Sequence, residues 1–376
     1  MAATVIDALR RFLPDHVREH PHAMTRAQRR AVWAINHCRT AAMGGHLHAC
    51  GACATREFHF HSCNHRSCPQ CGSNSTLEWV DRQLTKRVGA PYFMVTFTLP
   101  ADLRRLFLSA VAKDAYQLLF ASASSALRDT LANPRWLGAT TSGFITVLHT
   151  WNQRLQFHPH LHCIVPGAGL DVTGRLVTVK SPQFLVPQPA LRSVFRARFR
   201  DGLAQLATQH TLPDIDPAVW QQDWGVHLQP FGTGERIIQY LGSYVCRTAI
   251  GDSRIVRVTD SHVSFRYKDR ARGGVQRTET LTGAEFTARY LRHVLPRGLR
   301  AIRYNGFCHP AAKAKHERIA MHTGRPLLIG AAALTKAKPA HVVTCPCCRQ
   351  PMMRVLRVPP AWSRARPPPA GKKFCA

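Results

Sequence analysis

The chain has 376 residues, and its 51 lysines and arginines exceed its 21 aspartates and glutamates, which gives a formal net charge of +30. This surplus favours a polyanionic partner, either DNA or the RNA of a ribosomal-type binder, although a merely basic protein is the alternative. Hydrophobic residues make up 45% of the chain, and no run of 18 apolar residues predicts a membrane span. At roughly 100–200 residues per domain, two or three domains are expected.

The N-terminal region is amphipathic at its start and lacks the apolar core of a secretion signal, which favours a cytoplasmic protein. A cysteine-rich stretch lies between predicted helices at residues 25–33 and 75–88. Two C-x2-C pairs, Cys50 with Cys53 and Cys68 with Cys71, stand fourteen residues apart. Thirteen cysteines in an unexported chain favour metal over disulfides, and this spacing predicts one four-thiolate zinc site of the ribbon or treble type. The alternative is four unrelated buried cysteines.

Other cysteines leave the number of metal sites open. The candidate ligands of a second zinc ion are Cys38, Cys63 and His65. Near the C-terminus, Cys345 and Cys348 form half of a zinc knuckle around Cys347, and only Cys375 follows them. This C-terminal pair either supplies ligands to a metal ion or is a surface remnant that binds none.

The central part of the chain alternates predicted strands and helices. A β-branched and aromatic run at residues 92–99 predicts a buried strand, and helical periodicity follows over residues 101–131. Residues 143–150 and 160–166 predict an antiparallel hairpin that turns around Asn152 and Gln153. Further helices are predicted at residues 191–209 and 235–247, a hairpin at 254–267, and a capped helix from Thr282 to about residue 294. The basic, proline-rich C-terminal end predicts a disordered tail.

The predicted hairpin carries three histidines on one face. His160 and His162 are two residues apart in a strand, so their imidazoles point the same way. His149, eleven residues earlier on the preceding strand, comes level with them. Three imidazoles from two strands predict a divalent-metal site with open positions, whereas any one of them alone is more often structural. His158 precedes Pro159 and is expected in the turn, outside this site.

Two tyrosines lie four residues apart on one predicted helix, Tyr240 and Tyr244, and therefore share one face. Taken alone, they are more typical of core aromatics. Beside a metal they become candidate nucleophiles, because a phenol with a free pKa near ~10 needs an electrophilic phosphate. Attack would leave a 5′-phosphotyrosine link and a free 3′-hydroxyl, and the stored bond energy allows rejoining without ATP.

These motifs together resemble those of the HUH single-strand endonucleases. The detail is similar to one branch, the two-tyrosine transposases of rolling-circle insertion sequences (IS91 family), which carry an N-terminal transposase zinc-binding domain. The matching segments lie at residues 38–46, 62–71, 97–100, 148–151, 157–162, 240–247, 265–269, 292–296 and 302–304. The chain departs from the family at Ser67, where a histidine is usual, and at Cys246, where a basic residue is common.

The resemblance implies an α+β protein whose HUH endonuclease core has a central antiparallel sheet with flanking helices, preceded by a small zinc-ribbon-like module. The expected domains are a zinc-binding, DNA-recognition domain at residues 1–90, a catalytic domain at 91–310 and a basic extension at 311–376. The extension holds the C-terminal cysteine pair and the tail.

The activity implied is DNA transposition by nicking and rejoining single-stranded DNA at insertion-sequence ends, in the bacterial cytoplasm at the nucleoid. Mg²⁺ or Mn²⁺ is expected at the histidine cluster and Zn²⁺ in the N-terminal module, with element ends and target DNA as partners. Trp151 and Tyr267 are candidates for stacking unpaired bases, although core packing is the simpler expectation. Two rival functions stay open, a replication initiator or relaxase of the HUH class and a non-catalytic zinc DNA-binding derivative.

Overall fold

The structure is a computed structural model that describes residues 3–71, 73–245, 248–269, 272–324 and 342–360. Two helices come first, α1 (Val5–Glu19) and α2 (Arg26–His37). Each starts at a threonine whose side chain accepts a hydrogen bond from the backbone N–H three residues on. The side chain at that position in turn accepts a hydrogen bond from the threonine N–H. A hairpin of β1 (Gly45–Cys50) and β2 (Arg56–Phe60) follows, and helix α3 (Ser73–Thr85) comes after it.

The middle of the chain supplies most of a five-stranded sheet and the helices that cover it. Its elements are β3 (Tyr92–Thr98), α4 (Ala112–Ala132), β4 (Gly143–Trp151), β5 (Phe157–Pro166), the small pair β6 (Ala168–Leu170) and β7 (Leu176–Thr178), α5 (Gln188–Ala207), β8 (Gly225–Pro230) and α6 (Glu235–Val245). The remaining elements are β9 (Ile255–Val258), β10 (His262–Asp269), β11 (Val275–Thr282), α7 (Gly283–Arg292), β12 (Ile302–Gly306), α8 (Lys313–His322) and β13 (Met352–Val358).

The central sheet has the strand order β12-β4-β5-β3-β8, and every neighbouring pair is antiparallel. One face is buried against α4 and α5, where Phe93, Val95 and Phe97 of β3 contribute alternate residues to the largest core. The other face packs against α3, α6 and α8, and its core includes Met94, Ile145, Val147 and Ile164. The two faces of this sheet are therefore buried in two separate cores.

A third core joins the beginning of the chain to residues from its second half. Leu9 and Ile35 of the first two helices pack with Phe265 of β10 and Phe286 of α7. At the end of the described chain, β13 pairs with β1, so that a small sheet has the order β13-β1-β2. The C-terminal strand thus returns to the N-terminal hairpin.

The predicted fold class is confirmed, because helices cover a central antiparallel sheet in an α+β arrangement. The helix predicted over residues 101–131 is interrupted: a 3₁₀ helix, Ala101–Leu108, ends at Ser109, whose extended backbone precedes α4. Helix α6 is described to Val245, and Cys246 and Arg247 lie outside the described residues. The predicted proline-rich tail includes Pro359 and Pro360, which are described, and its part from residue 361 onward, with Cys375, also lies outside the described residues. Among the described helices, none is long and apolar enough to cross a membrane.

Candidate metal and nuclease site

Three histidines converge on one face of the central sheet. His149 on β4 lies directly opposite His160 on β5, and His162 is two residues further along β5. The imidazole centroids are 5.3 Å apart for His149 and His160, 4.6 Å for His149 and His162, and 4.8 Å for His160 and His162. Nitrogen atoms of all three rings lie within 4.8 Å of one another, a geometry that can hold one metal ion.

Hydrogen bonds to the outer nitrogens orient two of these rings. Nδ1 of His160 lies 2.7 Å from the backbone oxygen of His158, so this nitrogen donates and Nε2 carries the lone pair. Nδ1 of His162 lies 2.9 Å from the Thr96 hydroxyl on the neighbouring strand β3. A partner of this kind on the outer nitrogen is what fixes the tautomer of a metal-binding histidine. The residues present therefore fit a divalent cation.

Burial favours the neutral imidazole of His149 in this cluster. Burial lowers the pKa of His149 well below its ordinary value, and the neighbouring His162 and His160 lower it further. A neutral imidazole offers its lone pair to a cation without first losing a proton. The cluster is consequently suited to a metal ion at neutral pH.

His158 lies outside the cluster, as predicted, but in strand β5 and not in the turn, because β5 begins one residue earlier, at Phe157. Its Nδ1 lies 2.9 Å from a guanidinium nitrogen of Arg104, and burial lowers the pKa of His158 to about 4. The imidazole thus accepts a hydrogen bond from Arg104.

The turn between β4 and β5 is fastened to the third core by charged side chains. Arg154 makes two hydrogen bonds to the carboxylate of Glu279, at 2.6 and 3.1 Å, and Arg289 makes one at 3.1 Å. Burial alone would raise the pKa of Glu279, but Arg154 and Arg289 hold this pKa below its ordinary value. His293 donates from Nε2 to the backbone oxygen of Leu155 in the same turn. These contacts fix the strand ends that carry the histidine cluster, and sequence reasoning had not identified them.

The two aromatic candidates for base stacking already have partners. Trp151 stacks on His149 with a centroid distance of 5.4 Å and an interplanar angle of 13°. The guanidinium of Arg154 lies over the Tyr267 ring, 5.6 Å from its centroid. Trp151 therefore supports a histidine of the cluster, and Tyr267 packs against the anchored turn.

The tyrosine-bearing helix α6 packs on the same sheet face as the histidine cluster. It starts beside Tyr92, at the beginning of β3. The N–H of Phe231 donates to the backbone oxygen of Tyr92, and the N–H of Tyr92 donates to that of Gly232, each at 2.7 Å. Ile237, Ile238 and Leu241 are buried in the core of that face. Tyr240 is exposed at 36%, and Tyr244 lies on the same helix, although the structure does not describe its side chain.

The chain beyond α6 approaches the histidine end of the sheet. Ala249 and Ile250 are buried in the third core, where Leu155 and Trp151 of the β4–β5 hairpin also pack. Helix α6 therefore starts near Tyr92, at the end of β3 away from the histidines. The segment after the helix packs near the turn between β4 and β5.

The predicted zinc site of Cys50, Cys53, Cys68 and Cys71 is wrong as a set. Cys68 and Cys71 join Cys38 and Cys63, whereas Cys50 and Cys53 join Cys345 and Cys348. The reason is the hairpin between the two pairs: Cys50 and Cys53 lie at its turn, while the other group lies at its base. Five strand residues separate the two ends by roughly 17 Å, too far for one ion.

The first cluster has the geometry of a four-thiolate site. The sulfurs of Cys38 and Cys63 lie 3.6 and 3.7 Å from the sulfur of Cys71, close to the edge of about 3.8 Å expected for a zinc tetrahedron. Backbone N–H groups of Cys63 and His65 donate to sulfurs of the cluster. The predicted second-ion set of Cys38, Cys63 and His65 is corrected accordingly: Nδ1 of His65 accepts the N–H of Ser67 instead.

Two family models match separate parts of the chain. A family model described as "Transposase zinc-binding domain" matches residues 8–99, and one described as "Putative transposase" matches residues 143–316. "Putative transposase y4qJ" of Sinorhizobium fredii is 37% identical over 319 residues, which cover 81% of this chain and 79% of the relative. "Transposase for insertion sequence element IS801" of Pseudomonas savastanoi pv. phaseolicola is 29% identical over 297 residues, which cover 72% of this chain and 67% of the relative.

A solved structure of TrwC, complexed with a 27-mer DNA comprising the recognition hairpin and the cleavage site, aligns with 62% of this chain and 74% of that chain. Its sequence identity to this chain is 16%, and the TM-score is 0.25. The family is shown by the two domain models and the relative that is 37% identical over most of both chains. This chain therefore belongs to the two-tyrosine HUH transposases of rolling-circle insertion sequences, the IS91 family, which carry a transposase zinc-binding domain.

Proposed function

We propose that this transposase nicks and rejoins single-stranded DNA at insertion-sequence ends, with Tyr240 and Tyr244 as nucleophiles and His149, His160 and His162 as ligands of Mg²⁺ or Mn²⁺. The observation that carries the proposal is the convergence of the three imidazoles on the sheet face against which the tyrosine helix packs. A divalent cation bound there would neutralise the scissile phosphate and orient it for in-line attack.

The proposed transfer exchanges one phosphorus–oxygen bond for another. The phenolic oxygen of one tyrosine forms a bond to phosphorus while the bond from phosphorus to the 3′-oxygen breaks. The tyrosine gives up its proton and the departing 3′-oxygen gains one, so no net proton is consumed. The 5′-phosphotyrosine keeps the bond energy, and a 3′-hydroxyl can later attack it to join strands. A second tyrosine on the same helix allows two such transfers.

The basic surface supports binding of the DNA substrate. A net charge of +30 provides many contacts to phosphates, which give affinity that decreases with salt but carry no sequence information. Zinc in the Cys38, Cys63, Cys68 and Cys71 cluster would hold the N-terminal helices against the third core, because Cys38 and Cys68 are both fully buried there. We assign the choice of DNA site to this module.

Cleavage of an end-bearing oligonucleotide by histidine variants tests the proposal. His160→Ala and His162→Ala should each abolish nicking in the presence of Mg²⁺ or Mn²⁺ while DNA affinity is kept. His158→Ala is the matched control, because its imidazole lies in the same strand but outside the cluster, and it should nick normally. Nicking by the double variant His160→Ala/His162→Ala at the wild-type rate would contradict the proposal.

A further inference from the structure

Four sulfur atoms meet where the C-terminal strand β13 pairs with the N-terminal hairpin. Cys50 is the last residue of β1 and Cys53 lies in the turn after it, while Cys345 and Cys348 lie in the turn before β13. The sulfurs of Cys50 and Cys348 are 3.4 Å apart, and those of Cys53 and Cys345 are 3.5 Å apart. A disulfide requires about 2.0 Å, whereas a zinc tetrathiolate has edges of about 3.8 Å. The distances fit the metal site.

Both cysteine pairs are held by the same backbone turn. Ala54 and Arg349, each directly after the second cysteine of its pair, have positive φ values of 57° and 62°. Their N–H groups donate to the carbonyl oxygens of Cys50 and Cys345, at 3.1 and 3.0 Å. Neither residue is glycine, so each turn has an energetic cost that the surrounding structure must offset. The same turn therefore occurs in both pairs, and the four cysteine sulfurs lie close to one another.

Backbone donors also surround the sulfurs. The N–H groups of Cys347 and Cys348 point to the sulfur of Cys345, and that of Gln350 points to the sulfur of Cys348. An N–H group in this position can donate a hydrogen bond to the sulfur of a metal-bound cysteine. The turn before β13 therefore presents Cys345 and Cys348 as ligands and leaves the intervening Cys347 exposed.

The hydrophobic core beneath the sheet β13-β1-β2 buries too little apolar surface to stabilise the pairing of its strands. Its buried residues are Cys50, Cys345 and Met352, with Val343 and Cys348 packed partly against them. A cluster of this size buries little apolar surface, and small modules of this kind depend on metals or disulfides. Metal–thiolate bonds would supply the missing stabilisation.

We propose that Cys50, Cys53, Cys345 and Cys348 bind a zinc ion of their own, separate from the Cys38 cluster, that fastens the C-terminal strand β13 to the N-terminal hairpin. The matched zinc-binding domain ends at residue 99, so it contains only half of this ligand set. Binding releases the protons of the thiols that become thiolates. The ion also fixes Arg354 and Arg357 of β13 opposite His48 and His46 of β1.

Zinc content of the purified full-length protein tests the proposal. C345S/C348S should contain one zinc ion per chain fewer than C347S, the matched control whose substituted cysteine lies between the two ligands. An equal zinc content in the two variants would overturn the proposal. Because C345S/C348S changes two buried or half-buried sites, a second measurement uses the wild-type chain.

That measurement is the rate of alkylation at each cysteine, followed by mass spectrometry of the peptides. With zinc bound, Cys345 and Cys348 should react at least about tenfold more slowly than Cys347, and a chelator should remove the difference. Labelling of Cys345 and Cys348 as fast as Cys347 in the zinc-loaded protein would refute the site. Cys50 and Cys53 should become reactive together with the C-terminal pair, as members of one site.

Discussion

His149 and His160 lie directly opposite each other across β4 and β5, with their imidazole centroids 5.3 Å apart. The pairing register, and not closeness in sequence, therefore assembles the three-histidine cluster. A slip of one residue would turn one strand's histidines to the opposite face of the sheet. The anchored turn at Arg154 fixes this register, since Glu279 and the third core hold it from outside the sheet.

Thr96→Val should weaken the metal site without removing a ligand. The hydroxyl of Thr96 binds Nδ1 of His162, and loss of such a partner typically costs about 10–100-fold in metal affinity. We expect nicking to need correspondingly more Mn²⁺ and to recover at saturating metal, with DNA affinity unchanged. A Mn²⁺ titration of the nicking rate measures this effect.

Thr98→Val is the matched control for Thr96→Val, because it lies two residues along the same strand, where it pairs with His160. The Thr96 hydroxyl contacts Nδ1 of His162, whereas Nδ1 of His160, the residue opposite Thr98, binds the backbone oxygen of His158. An identical Mn²⁺ requirement in the wild type and in Thr96→Val would show that this hydroxyl does not orient His162.

Gly242→Ala should displace the tyrosine helix from α3. A Cβ atom at Gly242 would lie 2.0 Å from a methyl carbon of Val80, a distance that forces one helix to move. Overpacking costs about 1–3 kcal/mol, which exceeds the roughly 0.5–1 kcal/mol that alanine gains over glycine within a helix. Stability should therefore fall, and nicking should fall more than DNA binding, because Gly242 lies between the two tyrosines.

The double variant Val80→Ala/Gly242→Ala provides the control for Gly242→Ala. Removal of the Val80 methyl groups makes room for the new Cβ atom, so the double variant should recover nicking relative to Gly242→Ala. Denaturant unfolding and the nicking assay together measure the effect. Equal stability of Gly242→Ala and the wild type would mean that the two helices are not in close contact at this point.

Glu279→Gln should destabilise the protein only where the carboxylate is charged. The folded pKa of Glu279 lies below its ordinary value of 4.5, so its stabilising effect is present above that value and lost as the pH falls through the folded pKa. The variant should be about 1–3 kcal/mol less stable at pH 7, since it loses charged hydrogen bonds to Arg154 and Arg289.

The difference between Glu279→Gln and the wild type should shrink as the pH falls below 4.5, as measured by denaturant unfolding at several pH values. Glu285→Gln is the control, because Glu285 binds the same Arg289 from a more exposed position and should have a smaller effect. A destabilisation by Glu279→Gln that does not change with pH would exclude the carboxylate's charge as its cause.

The histidine cluster could be predicted because its geometry follows from local rules. The i, i+2 spacing of His160 and His162 defines one strand face, and a short polar turn limits where His149 can lie. The sequence did not indicate Thr96 or Glu279, since contacts between distant strands leave no local pattern. The side chain of Tyr244 remains a prediction from helical spacing.

The cysteine assignment failed because spacing does not reveal partners. Cys50 and Cys53 have the same pattern as Cys68 and Cys71, and both pairs suit a four-thiolate site. The partner of Cys50 lies 298 residues away in Cys348, and the half knuckle of Cys345 and Cys348 does not show which pair completes it. The intervening β1–β2 hairpin, which separates the two pairs in space, was the missing information.

The measurement that tests the central claim most directly is mass spectrometry of the covalent adduct. Labelled single-stranded oligonucleotides that carry the element's end would be incubated with the protein and Mg²⁺ or Mn²⁺, then digested with trypsin. Both tyrosines fall in one tryptic peptide, residues 237–247, and fragmentation identifies the modified one. Tyr240→Phe and Tyr244→Phe should each abolish transposition while DNA binding is kept.

We predict a DNA-linked peptide modified at Tyr240 or Tyr244, and no adduct from the double variant Tyr240→Phe/Tyr244→Phe. Nicking by that double variant, or tight binding of a verified substrate without any adduct, would contradict the phosphotyrosine mechanism.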